Sequence, residues 1–194
     1  MIKNFYIFRH GQSTYNVTGK IQGQTNDSKL TDLGVKQAEE VGKKLVNKGV
    51  EVIVTSPLFR AVQTAELVNK SLNKEIVEDE RFTEVDVGEA EGMHYLEAQE
   101  KYSVEFEKMH SHGGEYDESC YPNGETRKQV RERVFDGLEY WAKNDRYNNI
   151  AISSHGIMLS QILFALGENK TDIPNGSVLH LRNENDKWYI VGWL

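Results

Sequence analysis

Short apolar segments alternate with amphipathic helical patterns along most of the chain, and this alternation constrains the fold more than any other feature. The apolar segments are rich in β-branched and aromatic side chains, which predicts buried strands. They lie at residues 5–8, 50–55, 75–77 and 150–154. Because helical spacing of apolar residues intervenes between them, the pattern predicts parallel strands joined by crossover helices.

The predicted helices have recognisable starting residues. Thr31 is a candidate N-cap, since its hydroxyl can accept a hydrogen bond from the first turn. Ser56 followed by Pro57 predicts a second helix start, with Ser as N-cap and Pro at the first helical position. The predicted helices span residues 31–47, 57–71, 122–144 and 157–166.

The chain closes with two apolar runs that predict an antiparallel hairpin around residues 183–187. With the preceding alternation, this predicts an α/β fold: a three-layer α/β/α sandwich whose central sheet is mostly parallel, with an antiparallel edge hairpin strand. The 194 residues suit one domain over 1–194. Residues 93–122 interrupt the alternation and are expected to form a lid or insertion.

Composition narrows the function classes. The net charge of −7 argues against nucleic acid as a partner, which needs a basic face. No apolar run approaches the length that spans a bilayer, so no membrane association is expected. The first residues enter the first predicted strand directly, so we expect no signal peptide and a cytoplasmic location. A single cysteine, Cys120, excludes an internal disulfide framework.

Two predicted strands end in a similar way. Arg9 and His10 follow the first strand, and His155 follows the strand at residues 150–154. Arg60 lies in the first turn of the helix after the second strand. Because ligands of open α/β sheets collect outside the carboxyl ends of the strands, we expect these side chains to meet at one site. Two arginines and two histidines suit a dianionic phosphoryl group.

The segment at residues 93–122 contains three further potential metal ligands, His110, His112 and Cys120. Their spacing matches no compact zinc pattern. The chain also has neither a Walker-type glycine loop nor an acidic metal cluster. The sequence therefore predicts no metal and no cofactor.

Several motifs in the same order along the chain resemble the histidine phosphatase superfamily, the phosphoglycerate mutase-like group. The first is Arg9-His10-Gly11-Gln12-Ser13 with Asn16. The others are Leu30-Thr31-x-x-Gly34-x-x-Gln37-Ala38 after Asp27, Thr55-Ser56-Pro57-Leu58-x-Arg60-Ala61, Glu84-x-x-x-Gly88-x-x-Glu91-Gly92, Pro122-x-Gly124-Glu125 and Ser154-His155-Gly156. The chain has no His-Asp donor, so it resembles branch 1 of the superfamily. The resemblance implies a phosphoglycerate mutase-like fold.

The resemblance also implies roles for particular residues. His10 is the implied nucleophile, which forms a phosphohistidine, and Glu84 is the implied proton donor. The other implied catalytic residues, which hold the phosphoryl oxygens, are Arg9, Arg60 and His155. The implied substrate-binding residues are Asn16, Gln12, Ser13, Gln22 and Gly23.

Three functions stay open at this point. The first is a phosphomonoester hydrolase acting on a small phosphorylated metabolite. The second is a cofactor-dependent phosphoglycerate mutase, but relatives of that type have a basic loop where residues 93–122 are short and acidic. The third is a non-catalytic phosphate-binding domain, which is disfavoured because His10 and Glu84 are both present.

The identity of the alcohol that carries the phosphate is not encoded in a recognisable motif. The acidic segment is expected to disfavour highly anionic ligands through like-charge repulsion. We expect Met93, His94 or Tyr95 to contact the alcohol. The sequence contains no heptad repeat that would indicate an oligomeric state.

Overall fold

The computed structural model describes residues 2–110 and 116–194. The strands are β1 (Ile2–Arg9), β2 (Val52–Thr55), β3 (Glu75–Glu78), β4 (Asn149–Ser154), β5 (Val178–Glu184) and β6 (Lys187–Trp193). The helices are α1 (Thr14–Thr18), α2 (Asp32–Leu45), α3 (Phe59–Leu72), α4 (Tyr95–Lys101), α5 (Ser103–His110), α6 (Arg127–Ala142) and α7 (Gly156–Ala165).

The strands form one sheet in the order β3-β2-β4-β1-β5-β6. β1, β2, β3 and β4 pair in parallel, whereas β5 is antiparallel to β1 and to β6. The carboxyl ends of β1, β2 and β4 therefore lie at one edge of the sheet. This arrangement confirms the predicted parallel sheet with an antiparallel hairpin.

Helices cover both faces of the sheet, which confirms the three layers. One face of β1 carries Phe5 and Ile7 and packs against α6 and α7 in the larger apolar core. The other face carries Tyr6 and Phe8, which pack with apolar residues of α2 and α3 in a second core. Successive side chains of a strand point to opposite faces of the sheet. Since both faces of β1 are buried, its apolar residues at positions 5–8 follow one another without polar residues between them.

Of the four predicted helix starts, those at Thr31 and Ile157 are confirmed, since α7 begins one residue earlier at Gly156, and those at Pro57 and Pro122 are wrong. Thr31 caps α2, accepting a hydrogen bond from the backbone N–H of Gly34 at 3.1 Å. α3 begins at Phe59 rather than at Pro57. The Ser56 hydroxyl does not cap the helix, because it accepts from the N–H of Leu58 in the preceding turn and lies 2.8 Å from Nε2 of His155.

α6 begins at Arg127, five positions after the predicted Pro122. Its start is fixed by a capping box, in which the Thr126 hydroxyl accepts from the Gln129 N–H and the Gln129 side chain accepts from the Thr126 N–H. The residues between Pro122 and Thr126 form a turn that packs on the loop at residues 84–92, where Gly124 approaches the carbonyl of Asp86. That contact holds this turn away from helical geometry.

The segment at residues 93–122 folds in its described part into α4 and α5. His112 of the predicted candidate metal ligands lies outside the described residues. Within the described ranges, no group of three His, Cys, Asp or Glu side chains could hold a metal ion. None of the helices in those ranges is both long and apolar enough to cross a membrane. The prediction of one domain with a lid stays a prediction.

The turn after β1 packs against the start of α2 without room for a side chain at Gly11 or Gly34. A Cβ added to Gly11 would overlap the carbonyl group of Gly34, and one added to Gly34 would overlap the carbonyl oxygen of Gln12. The Thr31 N–H donates to that same Gln12 oxygen at 2.9 Å. This close backbone contact fixes the path of the chain directly after His10.

We expect Gly34→Ala to destabilise the protein by about 2 kcal/mol or more, because the added methyl group must displace backbone atoms. Lys36→Ala, on the exposed side of the same helix, is the matched control and is expected to change stability by less than about 0.5 kcal/mol. Urea unfolding followed by circular dichroism measures both. Equal stability of the two variants would contradict the close contact.

Candidate active site

The register of three parallel strands brings their following residues together. Arg9 pairs with Ser154, so His10 and His155 are next to each other just beyond the strand ends. Their rings lie 5.3 Å apart, centroid to centroid, at an angle of 60°. The backbone N–H of His10 donates to the Ser154 carbonyl at 3.0 Å, which continues the sheet into the site. The sequence-based expectation of one shared edge is met.

A cavity of about 340 Å³ opens at this edge of the sheet. The sequence-predicted residues that line it are Arg9, His10, Asn16, Gln22, Gly23, Glu84 and Tyr95, whereas Met93 and His94 are not part of the lining. Arg60 and His155 are 1% and 0% exposed and lie beneath the lining. Its size and enclosure suit a small molecule.

His10 is held as a neutral imidazole with a defined tautomer. Its Nδ1 lies 2.8 Å from the Gly11 carbonyl oxygen, which can only accept, so Nδ1 carries the proton. Its Nε2 accepts from Nε of Arg60 at 3.3 Å. Burial, followed by the charges of Arg60 and Arg9, lowers the pKa of His10 well below 6.5. The lone pair of Nε2 is therefore available at neutral pH.

The Arg60 guanidinium is anchored by backbone carbonyls. Nη1 donates to the Thr25 carbonyl at 3.0 Å, and Nη2 donates to the Gly23 carbonyl at 2.8 Å. Burial lowers the pKa of Arg60 to about 10, so the group stays cationic at neutral pH. Within the described ranges, no carboxylate forms an ion pair with Arg60 or Arg9. A buried cation, Arg60, and a partly buried one, Arg9, thus lie at the same site.

Two buried nitrogen atoms beside the cavity have no hydrogen-bond partner among the described residues, Nε of Arg9 and Nδ1 of His155. Nη1 of Arg9 donates to the Ile173 carbonyl, and Nε2 of His155 lies 2.8 Å from the Ser56 hydroxyl. Buried polar atoms usually have partners. The two nitrogens are therefore available to oxygen atoms of a ligand.

His155 is neutral for the same reason as His10. Burial is the main cause that lowers its pKa well below 6.5, and the charge of Arg60 adds to it. Burial likewise lowers the pKa of Arg9, although Glu84 acts in the opposite direction. The positive charge at the site therefore comes from the two arginines, because the two neutral imidazoles carry no charge that would repel them.

Glu84 is 9% exposed and is oriented by two backbone N–H groups. Oε1 accepts from Val85 at 3.0 Å, and Oε2 accepts from Ile157 in the first turn of α7 at 3.3 Å. The loop itself is held by Arg133, which donates to the carbonyls of Thr83 and Glu84 at 2.9 and 3.4 Å. The carboxyl group is thus fixed at the edge of the cavity.

Asn16 and Gln22 present their amide nitrogens through one network. The Oδ1 of Asn16 accepts from the N–H of Ser13 at 3.0 Å and from Nδ2 of Asn175 at 3.3 Å, which leaves the Ser13 hydroxyl proton for Gln22. The Ser13 hydroxyl lies 2.7 Å from Oε1 of Gln22. Because the side-chain oxygens are engaged, the NH₂ groups of Asn16 and Gln22 are left for the cavity that both residues line.

Gln12 and Ser13 lie behind the cavity lining. The Gln12 N–H donates to Gln37 at 2.7 Å, and its side-chain oxygen accepts from the Thr31 hydroxyl at 2.9 Å. Ser13 is fully buried and caps α1. Gln12 therefore contacts Gln37 and Thr31, and Ser13 contacts Asn16 and Gln22. The backbone N–H groups of both residues donate to protein side chains rather than to the cavity.

Sequence reasoning missed three residues near the site. Arg127 and Arg131 line the cavity from α6, and their spacing of four is the signal that places them on one helix face. Asn175 donates to the His10 carbonyl at 2.9 Å and to the Asn16 side chain at 3.3 Å. Asn175 follows Pro174 in a turn, and no motif of the sequence indicated a role for it.

Comparison with known proteins gives one family. The sequence model of the histidine phosphatase superfamily (branch 1) matches residues 5–194. A relative from Bacillus subtilis (strain 168), "Uncharacterized phosphatase PhoE", is 33% identical over 95% of this chain and 90% of its own length. "Probable phosphoglycerate mutase GpmB" from Proteus mirabilis (strain HI4320) is 29% identical over 97% of this chain and 89% of its own length.

The fold is shared with solved structures. Bacillus stearothermophilus YhfR superposes with a TM-score of 0.87 and 25% identity, covering 97% of this chain and 95% of that one. The predicted phosphoglycerate mutase-like architecture is therefore confirmed.

We expect the free energy of unfolding to fall as the pH drops below about 6.5. In the folded protein the lowered pKa values of His10 and His155 keep both rings neutral there, whereas the unfolded chain takes up their protons. Each ring contributes a slope of at most about 1.4 kcal/mol per pH unit between its folded and unfolded pKa. Above that window the contribution is complete and constant.

Urea titrations at several pH values measure this slope. His10→Gln should reduce it, and His180→Gln should reduce it less, because burial lowers the pKa of the more accessible His180 by a smaller amount. A His10→Gln protein with the wild-type slope would contradict the neutral, buried His10.

Proposed function

The chain belongs to branch 1 of the histidine phosphatase superfamily, and on this premise we propose that it is a phosphomonoester hydrolase that acts through a phosphohistidine on a small phosphorylated metabolite. The observation that carries the proposal is the neutral His10, whose Nε2 lone pair lies beside the buried Arg60, with the partly buried Arg9 also at the site. A proton donor, Glu84, lines the same cavity. We also propose that the protein works in the cytoplasm.

The phosphoryl group binds between the side chains at the sheet edge. Arg9 and Arg60 neutralise its negative charge, and arginine suits this role because its planar guanidinium offers several donors to phosphate oxygens. His155 and the NH₂ group of Asn16 contribute further hydrogen bonds. Gln22 and Gly23 line the cavity beside this point and contact the substrate. Gln12 and Ser13 support the site from behind through Thr31 and Asn16.

The first chemical step forms the phosphohistidine. The Nε–H of Arg60 exchanges its hydrogen-bond acceptor, from Nε2 of His10 to a phosphoryl oxygen, while the guanidinium keeps its proton; this frees the lone pair of Nε2. Nε2 attacks phosphorus in line with the leaving oxygen, the bond from phosphorus to that oxygen breaks, and Glu84 donates its proton to the alcohol. The arginines stabilise the charge on the equatorial oxygens of the transition state.

The second step returns the enzyme to its starting state. Glu84, now a carboxylate, takes a proton from water while the water oxygen attacks phosphorus. The bond from phosphorus to Nε2 breaks, and inorganic phosphate leaves. The Gly11 carbonyl accepts a hydrogen bond from Nδ1–H of His10 throughout, so it stabilises the positive charge that the imidazole carries in the intermediate.

Phosphoryl transfer to a phosphoglycerate is the second candidate function, since relatives named as phosphoglycerate mutases match nearly the full chain. The two functions share the first step and differ in the acceptor. We favour hydrolysis because a water-accessible cavity suffices for it. Release of inorganic phosphate, measured with and without added phosphoglycerate, decides between them; transfer that outpaces hydrolysis would favour the mutase.

We expect His10→Ala to lower kcat for p-nitrophenyl phosphate by at least about a thousandfold, because the variant has no nucleophile. His180→Gln, a histidine in β5 outside the cavity, is the control and should retain activity. Trapping of radioactive phosphate on the wild type denatured in alkaline detergent, where a phosphorus–nitrogen bond survives, but not on His10→Ala, would identify the intermediate. Undiminished hydrolysis by His10→Ala would overturn the assignment.

Glu84→Gln should affect substrates according to their leaving groups. We expect kcat for an alkyl phosphate to fall about 10²- to 10⁴-fold, because an alkoxide needs a proton to leave. The fall for p-nitrophenyl phosphate should be much smaller at the phosphorylation step, since nitrophenolate leaves without one. Glu89→Gln, an exposed carboxyl of the same loop, is the matched control. Equal losses on both substrates would contradict a proton donor at Glu84.

A further inference from the structure

The cavity wall built by α5 and α6 contains two arginines that the proposed chemistry does not use. Arg127 is the first residue of α6, and Arg131 lies one turn later on the same face. Their neighbours on this wall include Met109 and Asp117. Among the described residues, a carboxylate forms an ion pair with only one of these two arginines.

The charge of Arg131 is balanced. Its two Nη atoms bond both carboxylate oxygens of Asp117, and Nη1 also donates to Gln161 at 2.9 Å. Its guanidinium lies 5.0 Å from the centre of the Phe164 ring. These contacts leave Arg131 with a fixed geometry and a compensated charge, and they use the carboxylate of Asp117.

The charge of Arg127 is not balanced in this way. Its side chain is only 7% exposed, and Nη2 donates to the carbonyls of Lys108 and Met109 at 2.9 and 2.6 Å. Within residues 2–110 and 116–194, no carboxylate forms an ion pair with it and no acceptor bonds its Nε or Nη1. Buried charged groups are normally paired, so a cation that faces a cavity is a candidate for a ligand's anion.

We propose that Arg127 binds a second anionic group of the substrate, a carboxylate or a second phosphoryl group on the alcohol part. The proposal rests on the proposed function, because it assigns a further wall of the same cavity. The cavity of about 340 Å³ contains both Arg127 and the residues around His10. A small molecule with an anion at each end suits such a cavity.

The acidic segment opposes this binding less than its sequence suggests. Two of its six described carboxylates are paired with cations: Asp117 with Arg131, and Glu118 with Lys128 at 3.2 Å. Glu118 is also largely exposed to solvent, which screens its charge. The like-charge repulsion that the sequence predicts is therefore reduced at the cavity.

Arg127 also has a structural contact, which the test must separate from substrate binding. Its two hydrogen bonds go to carbonyls at the carboxyl end of α5, where cations stabilise a helix. Loss of that contact would weaken activity towards all substrates alike. A binding role instead changes the ratio of activities between substrates that differ only in the second charge.

The experiment measures kcat/KM for two matched pairs of substrates. In one pair, 3-phosphoglycerate carries a carboxylate where glycerol 3-phosphate carries an alcohol. In the other, fructose 1,6-bisphosphate carries a second phosphoryl group that fructose 6-phosphate lacks. We expect the wild type to prefer the more anionic member of at least one pair by about tenfold or more, the size expected for one hydrogen bond to a charged group.

In Arg127→Met this preference should fall below about threefold, because the charge that discriminates is gone. Arg127→Gln, whose amide can still donate to the α5 carbonyls, should lose the preference with less loss of stability. Lys128→Met removes a neighbouring exposed cation of the same helix and should keep most of the wild-type preference, because solvent screens the charge of Glu118, its largely exposed partner. The pair that shows the preference identifies the anion as a carboxylate or a phosphoryl group.

The inference is overturned if the wild type shows no preference in either pair, or if folded Arg127→Gln keeps it. Hydrolysis of p-nitrophenyl phosphate separates this failure from failure of the proposed function. If that hydrolysis is present and depends on His10, only the role of Arg127 is wrong. If the wild type hydrolyses none of these phosphates, the proposed function is wrong as well.

Discussion

The parallel pairing of β1 with β4 is the interaction on which the site depends. It places His10 beside His155 through backbone hydrogen bonds, before any side-chain contact is made. A shift of one residue in this register would turn one of the histidines to the opposite face of the sheet. The apolar core on both faces of β1 opposes such a shift, so the geometry of the site follows from the packing of the sheet.

Burial then lowers the pKa values of the two histidines and the two arginines at this edge. The same desolvation that makes His10 and His155 poor bases leaves Arg9 and Arg60 charged, because arginine begins from a much higher pKa. The protein therefore concentrates positive charge without protonating its nucleophile. Backbone carbonyls, rather than carboxylates, hold the guanidinium groups, which leaves their net charge for an anion.

The sequence predicted the three layers, the alternation of strands and helices along the chain, and the edge of the sheet at which the site lies, because strand and helix periodicities are strong local signals. It failed at Ser56, where a residue typical of a helix cap instead bonds His155, a contact made between distant parts of the chain. It also gave Arg127 and Arg131 no role. Only the structure shows that Asp117 balances one of them, since the ion pair joins residues outside any recognisable motif.

The chain divides its site between two kinds of element, and this division has an evolutionary consequence. The groups around the phosphoryl position come from strand ends and the turns after them, where the sheet and the close contact of Gly11 with Gly34 tolerate little change. The remaining wall of the cavity comes from the short helices α4 and α5 and from the start of α6, none of which belongs to the sheet. Proteins with this architecture can therefore diversify the molecules they recognise by exchanging the outer segment, while the reaction centre is inherited intact.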